Sequence, residues 1–393
     1  MTATADFSNY LSELAQADQL RVRRIVDGPQ DASMLIDGKR VMSYASNDYL
    51  GLANHPKVVE AAIRALKRYG LGAGASHMVS GHMRAHHELE ERLSEYLNLP
   101  KALLFSSGYA ANIGILTALA GRGDTIFADK LNHACLNDGA LLSRATFKRY
   151  PHCNLAKLET MLAESRNNGR KLIVTDAVFS MDGDIAPLAE LLKLAEKYDT
   201  LLVIDDAHGF GVLGYRGKGA LEHFNLKSER IVYMATLGKA AGGYGAFVAG
   251  DEDIVEWILQ SARTYIFTTA TPPAIAAAMQ MSLVVMQEDR ERLKHLRMLI
   301  DFFGDSLKLQ FATLPYSQTA IQPIIIGDNR TTVAFAEQLR ERHMFVPAIR
   351  PPTVPAGTAR LRVSITAAHT ADDLFDLITA LTDLEVELMD KRQ

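Results

Sequence analysis

Short, continuously apolar runs recur between residues 101 and 250, and they leave the chain few folds to choose from. The runs Ala102–Phe105, Thr125–Ala128, Leu172–Thr175, Leu201–Asp205, Ile231–Ala235 and Ala246–Ala249 have strand length and no polar alternation. Between them lie stretches of helical period, among them Ala110–Ala120, Leu155–Ser165 and Pro187–Tyr198. In the last, Pro187 suits a first helical turn, and Leu188, Leu191, Leu192 and Ala195 form one apolar stripe. Strands that are apolar on both faces and alternate with helices imply an α/β fold, with a mostly parallel sheet covered by helices. Ligands of such sheets sit beyond the carboxyl ends of the strands.

The flanks are organised differently. Residues 1–50 are expected to form an N-terminal segment, with a basic amphipathic helix at Leu20-Arg21-Val22-Arg23-Arg24 and a short strand pair around Met34–Met42. Residues 51–285 are expected to form the large domain. A long helical region from Pro273 to about Leu309 then leads into a smaller C-terminal α/β domain, residues 286–393. That domain has strands near Ile321–Ile326 and Leu361–Ile365 and a final helix from Ala371. The formal net charge of −4 gives no global attraction to nucleic acid or an anionic membrane, so neither is expected as a partner. Cys135 and Cys153 show no metal-type spacing and are expected as reduced, buried thiols. The first ten residues lack the basic and apolar regions of a secretory signal, and no apolar stretch is long enough to span a bilayer. A cytoplasmic location is expected.

Candidate chemistry gathers at strand ends. Lys239 lies in Ala235-Thr236-Leu237-Gly238-Lys239-Ala240-Ala241-Gly242-Gly243, where small neighbours give a lysine room to form and leave a Schiff base. Asp205-Asp206-Ala207-His208 places acids and an imidazole at the end of another run. Ser106-Ser107-Gly108-Tyr109-Ala110-Ala111-Asn112 passes from strand to helix, where a glycine and free N–H groups suit a phosphate, although a purely structural turn fits equally well. A lysine, a strand-end carboxylate and a phosphate loop are what pyridoxal phosphate (PLP) requires.

Other motifs are weaker. Ser180 sits in an Asp/Gly-rich turn and could hydrogen-bond a ligand, and His133 could stack on an aromatic cofactor or simply be exposed. The acidic pair with His208 also admits a metal reading, which lacks further ligands at fixed spacing. His77, His82, His86 and His87 suggest zinc but show no acid or cysteine to complete a set, so no metal is expected. Gly70-Leu71-Gly72-Ala73-Gly74 follows a helix rather than a strand, which argues against a dinucleotide loop. Arg350, before Pro351-Pro352-Thr353-Val354-Pro355, is suited to grip a carboxylate or to be a solvated loop residue.

Taken together, these motifs resemble the α-oxoamine synthases, within the fold type I PLP-dependent transferases. The resemblance runs from Ser46-Asn47-Asp48-Tyr49-Leu50-Gly51-Leu52 to Ala367-Ala368-His369. It is most specific in Ala348-Ile349-Arg350-Pro351-Pro352-Thr353-Val354-Pro355-Ala356-Gly357-Thr358-Ala359-Arg360-Leu361-Arg362. The resemblance implies that Lys239 carries the cofactor, Asp205 meets its pyridinium nitrogen, His208 its phenolic oxygen, and His133 stacks on the ring. Those four would be the catalytic residues. It further implies cofactor contacts from Gly108, Tyr109, Ser180 and Thr236, and a phosphate contact from Thr268 or Thr269 lent across a homodimer interface. Arg21 would meet the far carboxylate of an acyl substrate, with Arg350, Thr353 and Asn47 as further substrate contacts beside His133. Tyr244 and His77 depart from the family pattern, and both could alter the acyl pocket.

The activity implied is decarboxylative condensation of L-alanine with a pimeloyl thioester, carried by acyl carrier protein or coenzyme A, on the route to biotin. Within the same family, glycine C-acetyltransferase activity is the nearest alternative. A catalytically silent partner subunit is a remoter one, since such chains tend to lose the lysine.

Overall fold

The apolar runs form strands in the computed structural model, which describes residues 3–165, 168–310 and 312–390. Six of them and one further strand make one sheet: β1 (Lys101–Phe105), β2 (Thr125–Asp129), β3 (Thr146–Tyr150), β4 (Lys171–Asp176), β5 (Leu201–Asp205), β6 (Ile231–Thr236) and β7 (Ala246–Gly250). The order is β1-β7-β6-β5-β4-β2-β3. Only β7 runs antiparallel to its neighbours, so the carboxyl ends of the other strands share one edge. The sequence expectation omits β3, and its position explains why: Thr-Phe-Lys-Arg-Tyr is an edge strand, buried only at Tyr150, and never needed an apolar run.

This sheet belongs to a unit made of Asp48–Ser180 and Asp184–Leu293. Four of its helices matter below: α1 (Pro56–Tyr69), α2 (Arg84–Leu97), α3 (Gly108–Leu119) and α4 (Ala134–Ser143). Ile115, Leu116 and Leu119 of α3 and Leu136 and Ala140 of α4 bury against Ile126, Val174, Val203 and Val232 of the strands. Each fully buried side chain of this size contributes about 1.5–3 kcal/mol. That exceeds the roughly 1 kcal/mol of a helix cap, so packing stabilises α3 and α4 more than the Ser107 and His133 caps that begin them. The helical region after Pro273 is two helices, Pro273–Glu288 and Arg290–Ser306, separated at Asp289.

The other unit comprises the residues up to Asn47, Met181–Gly183 and the residues from Lys294 on. It contains the expected strand pair as Ser33–Ile36 and Lys39–Ser43, and an antiparallel sheet of Ile321–Gly327, Ala359–Ser364 and Ala348–Ile349. Its last helix is Ala371–Asp390. The basic helix expected at Leu20–Arg24 is absent. The N-terminal helix is Ala3–Gln16, and residues 20–24 are non-helical. Arg24 reaches Asp37 (3.1 Å) and Glu337 (3.4 Å), and the Ile25 amide donates to Asp37 Oδ1, which holds the segment open. Among the described residues no helix is long and apolar enough to cross a membrane.

One polar cluster braces the large sheet. His152 Nδ1 lies 3.0 Å from Asp129 Oδ1 and Nε2 lies 2.7 Å from Asp184 Oδ2, while Asp129 Oδ2 accepts from the Cys153 amide. Burial disfavours the imidazolium, but the two carboxylates outweigh it and push His152 up to about 12 from an ordinary 6.5. The folded-state value is the higher, so the stabilisation is fully present below pH 6.5 and declines as pH rises toward 12. His152→Gln is therefore expected to cost about 2–3 kcal/mol at pH 6, within the range for breaking a partly buried pair. Denaturant melts should show the gap to wild type narrowing by pH 9; a gap that widens would contradict the pairing. Cys153 is only half-buried, against the expectation of two buried thiols, whereas Cys135 is buried.

Candidate active site

The central strands that end at the shared edge bring polar side chains to it: Asp176 from β4, Asp205 from β5 and Thr236 from β6. Asp205 closes β5, and its carboxylate accepts from Asn112 Nδ2 (2.6 Å) and the Ala207 amide (2.9 Å). Asn112 projects from the second turn of α3, and its buried Oδ1 has no hydrogen-bond partner. Across the ladder Asp205 faces Asp176, whose carboxylate accepts from the His133 amide (2.7 Å). Burial first, and then the Asp205 charge, push Asp176 well above the usual carboxylate range.

The neighbouring acid plays a different part. Asp206 is buried with Oδ2 accepting from the Ala220 amide and the Tyr233 hydroxyl, both at 2.7 Å. Burial raises it to about 7. Its partners are structural, which leaves Asp205 as the member of this adjacent pair that serves the site.

Lys239 follows β6, and its Nζ lies 2.8 Å from His208 Nε2. His208 Nδ1 in turn lies 2.6 Å from the hydroxyl of Tyr49. The tautomer that accepts from the lysine at Nε2 carries its proton on Nδ1 and donates it to the tyrosine oxygen. Tyr49 and His208 are both buried, so the imidazole is fixed and the lysine is aimed by it. The lysine loop is braced on both sides. Thr236 Oγ1 donates to the Gly245 carbonyl (2.9 Å) and accepts from the Gly238 amide (3.1 Å). Gly242 has φ 71°, and a Cβ there would stand 2.4 Å from the Ala53 amide nitrogen, so only glycine fits.

His133 is the N-terminal cap of α4 and is exposed on its free side, with Nδ1 2.8 Å from Cys135 Sγ. Partial burial pushes it below the ordinary histidine value, Asp205 opposes that shift, and the Lys239 charge adds to it. Those two opposed charges place His133 in the same field as the acid and the amine. Burial raises the Cys135 thiol, which fits a packing role.

Gly108 and Tyr109 open α3, where helix geometry gives their amides no intrahelical acceptor. A Cβ on Gly108 would meet no protein atom closer than Met234 Cε at 3.9 Å. The protein itself does not demand glycine there, so the small residue makes room for something that approaches the backbone. The Tyr109 hydroxyl donates to Asp138. Ser180 is half-buried in the loop after β4. Thr269 is exposed and forms an isolated bridge with Ser76, and Thr268 is half-buried beside it. Of the departures from the family pattern, Tyr244 is exposed and His77 stacks on Tyr265, with centroids 5.0 Å apart.

The expected substrate contacts lie in the other unit. Arg21 Nη2 donates to Thr353 Oγ1 (3.2 Å), which joins two of them. Arg350 Nη1 donates to the Asp18 carbonyl (2.6 Å). Asn47 Oδ1 accepts from Arg362 Nη1 (3.2 Å), which also donates to Ser364 Oγ (2.8 Å). Arg362 is 5% exposed and was not among the expected site residues. Its signal was present: an arginine amid the apolar residues of a strand, at a position where charge needs partners. Tyr49 and Asn112 were missed for a different reason, because only the fold shows which tyrosine and which amide reach His208 and Asp205.

A lysine held by histidine, a strand-end carboxylate, an imidazole with one open face and a backbone cradle fit PLP, and they define a PLP-dependent enzyme of fold type I. The family model for class I and II aminotransferases matches residues 39–381. The chain is 55% identical over 95% of its length to 8-amino-7-oxononanoate synthase of Methylobacillus flagellatus, covering 94% of that protein. It is 52% identical over 97% of its length to the enzyme of that name from Nitrosomonas europaea, covering 99% of it. Among solved structures it resembles serine palmitoyltransferase of Sphingomonas wittichii (28% identity, TM-score 0.89, 96% of both chains). It also resembles 8-amino-7-oxononanoate synthase of Francisella tularensis (30% identity, TM-score 0.76, 90% of this chain and 99% of that one). The chain belongs to the aminotransferase class I and II family and, within it, to the 8-amino-7-oxononanoate synthases.

Proposed function

We propose that the chain joins L-alanine to a pimeloyl thioester, giving 8-amino-7-oxononanoate, carbon dioxide and the free carrier thiol, in biotin biosynthesis. A C–C bond forms between the alanine Cα and the acyl carbon, the C–S bond breaks, and the alanine carboxylate leaves. The observation that carries this reading is the Lys239 amine, 2.8 Å from His208 at the strand edge that Asp205 closes. The relatives' shared name over nearly the whole chain supports the choice of reaction.

PLP, when bound, supplies an electron sink for the pair left on the substrate Cα. Lys239 would attach it and afterwards move the Cα proton. Asp205 would keep the ring nitrogen protonated, with Asn112 and the Ala207 amide holding its carboxylate in place. His208 would meet the phenolic oxygen, His133 would cover one ring face, and the amides of Gly108 and Tyr109 would take the phosphate. Ser180 and Thr236 are proposed as further polar contacts. Arg21 and Thr353 would share an anionic part of the acyl chain. Arg350 and Asn47 would orient the amino acid, with Arg362 as the positioning residue that holds Asn47. The acyl carrier is acyl carrier protein or coenzyme A.

We read the active unit as a cytoplasmic homodimer with its active site at the interface and Thr268 or Thr269 given to the partner's phosphate. Val59, Ile63 and Leu66 of α1 are exposed at helical spacing, and Leu71, Met78, Val79 and Phe267 are exposed in the same unit, which supports a covered surface. Residues 51–285 are proposed as the cofactor-binding domain and residues 286–393 as the small domain. A product assay tests the reaction. Pimeloyl thioester with alanine should yield 8-amino-7-oxononanoate, whereas glycine with acetyl-CoA should yield little. Faster condensation of glycine with the acetyl thioester would assign the chain to the glycine C-acetyltransferase reaction.

A further inference from the structure

We propose that His82, His87 and Glu90 form a binding site for one divalent transition-metal ion of the zinc type, separate from the Lys239 constellation. His87 and Glu90 stand three residues apart on one face of α2, and His82 lies in the loop that enters it. His82 Nε2 is 3.4 Å from His87 Nδ1 and 3.9 Å from Glu90 Oε2, and the three ligand atoms all lie within 4.8 Å of one another. Donors about 2.0–2.2 Å from a tetrahedral ion sit about 3.3–3.6 Å apart. Small side-chain rotations bring the set to that spacing and leave a fourth position for water.

The outward atoms of the three side chains are already oriented, as those of metal ligands are. His82 Nδ1 lies 3.0 Å from His77 Nδ1, His87 Nε2 lies 3.4 Å from Glu91 Oε1, and Glu90 Oε1 accepts from the Leu104 amide at 2.9 Å. Each ligand therefore has one atom held by a neighbour and the other turned to the common point. The neighbouring His86 does not join them, because Nδ1 accepts from the Met83 amide and Nε2 meets the Thr271 carbonyl at 2.7 Å. The Asp129–His152–Cys153 cluster is also closed, since both imidazole nitrogens of His152 are taken by carboxylates.

The backbone reinforces the geometry. His77–Gly81 is a π-helical turn, a form frequent at functional sites. A Cβ on Gly81 would stand 2.0 Å from the Ala75 carbonyl oxygen, so the turn that presents His82 admits only glycine. Two imidazoles and one carboxylate suit zinc, and by the Irving–Williams order also copper or nickel. An ion there would tie α2 to the loop that carries Ser76, which bridges Thr269.

The test uses the full chain with its cofactor bound, freed of metal by a chelator and dialysed. Zinc chloride is then titrated in by calorimetry, and bound metal is counted by elemental analysis. The expected result is about one ion per chain at micromolar or lower Kd. His87→Ala and Glu90→Gln should each weaken binding by about 10–100-fold or more. His87 is half-exposed, and the amide oxygen that Glu90→Gln introduces can still accept from the Leu104 amide, so both variants should melt like wild type. No stoichiometric uptake at micromolar zinc, or uptake unchanged in both variants, would overturn the assignment.

Discussion

Lys239→Ala is expected to abolish condensation while leaving the fold intact. The proposed reaction asks one amine for two services: attachment of the cofactor and transfer of the Cα proton. Proton transfer by a placed side chain contributes about 10²–10⁴-fold by itself, and loss of the covalent route adds to that. The His208 imidazole, 2.8 Å away, cannot substitute for both services, because an imidazole forms no imine with an aldehyde and so cannot attach the cofactor. The side chain of Lys239 is half-buried in a loop fixed by Thr236 and Gly242, so its removal should barely move the melting temperature. Steady-state assays and a thermal melt check both halves. A variant with more than a tenth of wild-type kcat would show that another residue moves the proton.

The second large effect separates two adjacent acids. Asp205→Asn keeps the shape of the side chain but removes its charge, and should cost about 10²–10³-fold in kcat, the scale for losing one preorganised electrostatic partner. Asp206→Asn should do the opposite. Its carboxylate caps the Ala220 amide and binds the Tyr233 hydroxyl, so the loss falls on stability, at about 1–3 kcal/mol for disturbed buried hydrogen bonds. Measuring kcat and denaturant midpoints for both variants decides the matter. If Asp206→Asn lost turnover at full stability while Asp205→Asn worked normally, the acid facing the cofactor would be the wrong one.

How much of this was legible in the sequence depends on what kind of force fixes each element. The central strands need apolar residues on both faces, so β1, β2, β4, β5, β6 and β7 were readable as apolar runs, and with them the strand ends bearing Asp205 and Lys239. The edge strand β3 has no such need and was invisible. The segment 20–24 has the charge pattern of a helix, yet the ties from Arg24 and Ile25 to Asp37, distant in sequence, override that propensity. In the site, the residues with the more reactive side chains stood out, while those that hold them did not. Asn112, Tyr49 and Arg362 act through contacts 93, 159 and 315 residues away along the chain, and no local pattern encodes such distances. Glu90 shows the same limit: the histidines near it were noticed, but the acid that completes their set reads as one more charge on a helix face until the helix is built.

The most direct test of the central assignment is chemical. The purified chain is loaded with PLP, reduced with borohydride, digested and mapped by mass spectrometry. A pyridoxyl phosphate adduct on the peptide that contains Lys239, at close to one per chain, is the predicted result. An adduct on a different lysine, or none at all in protein that still condenses alanine with the thioester, would contradict the account.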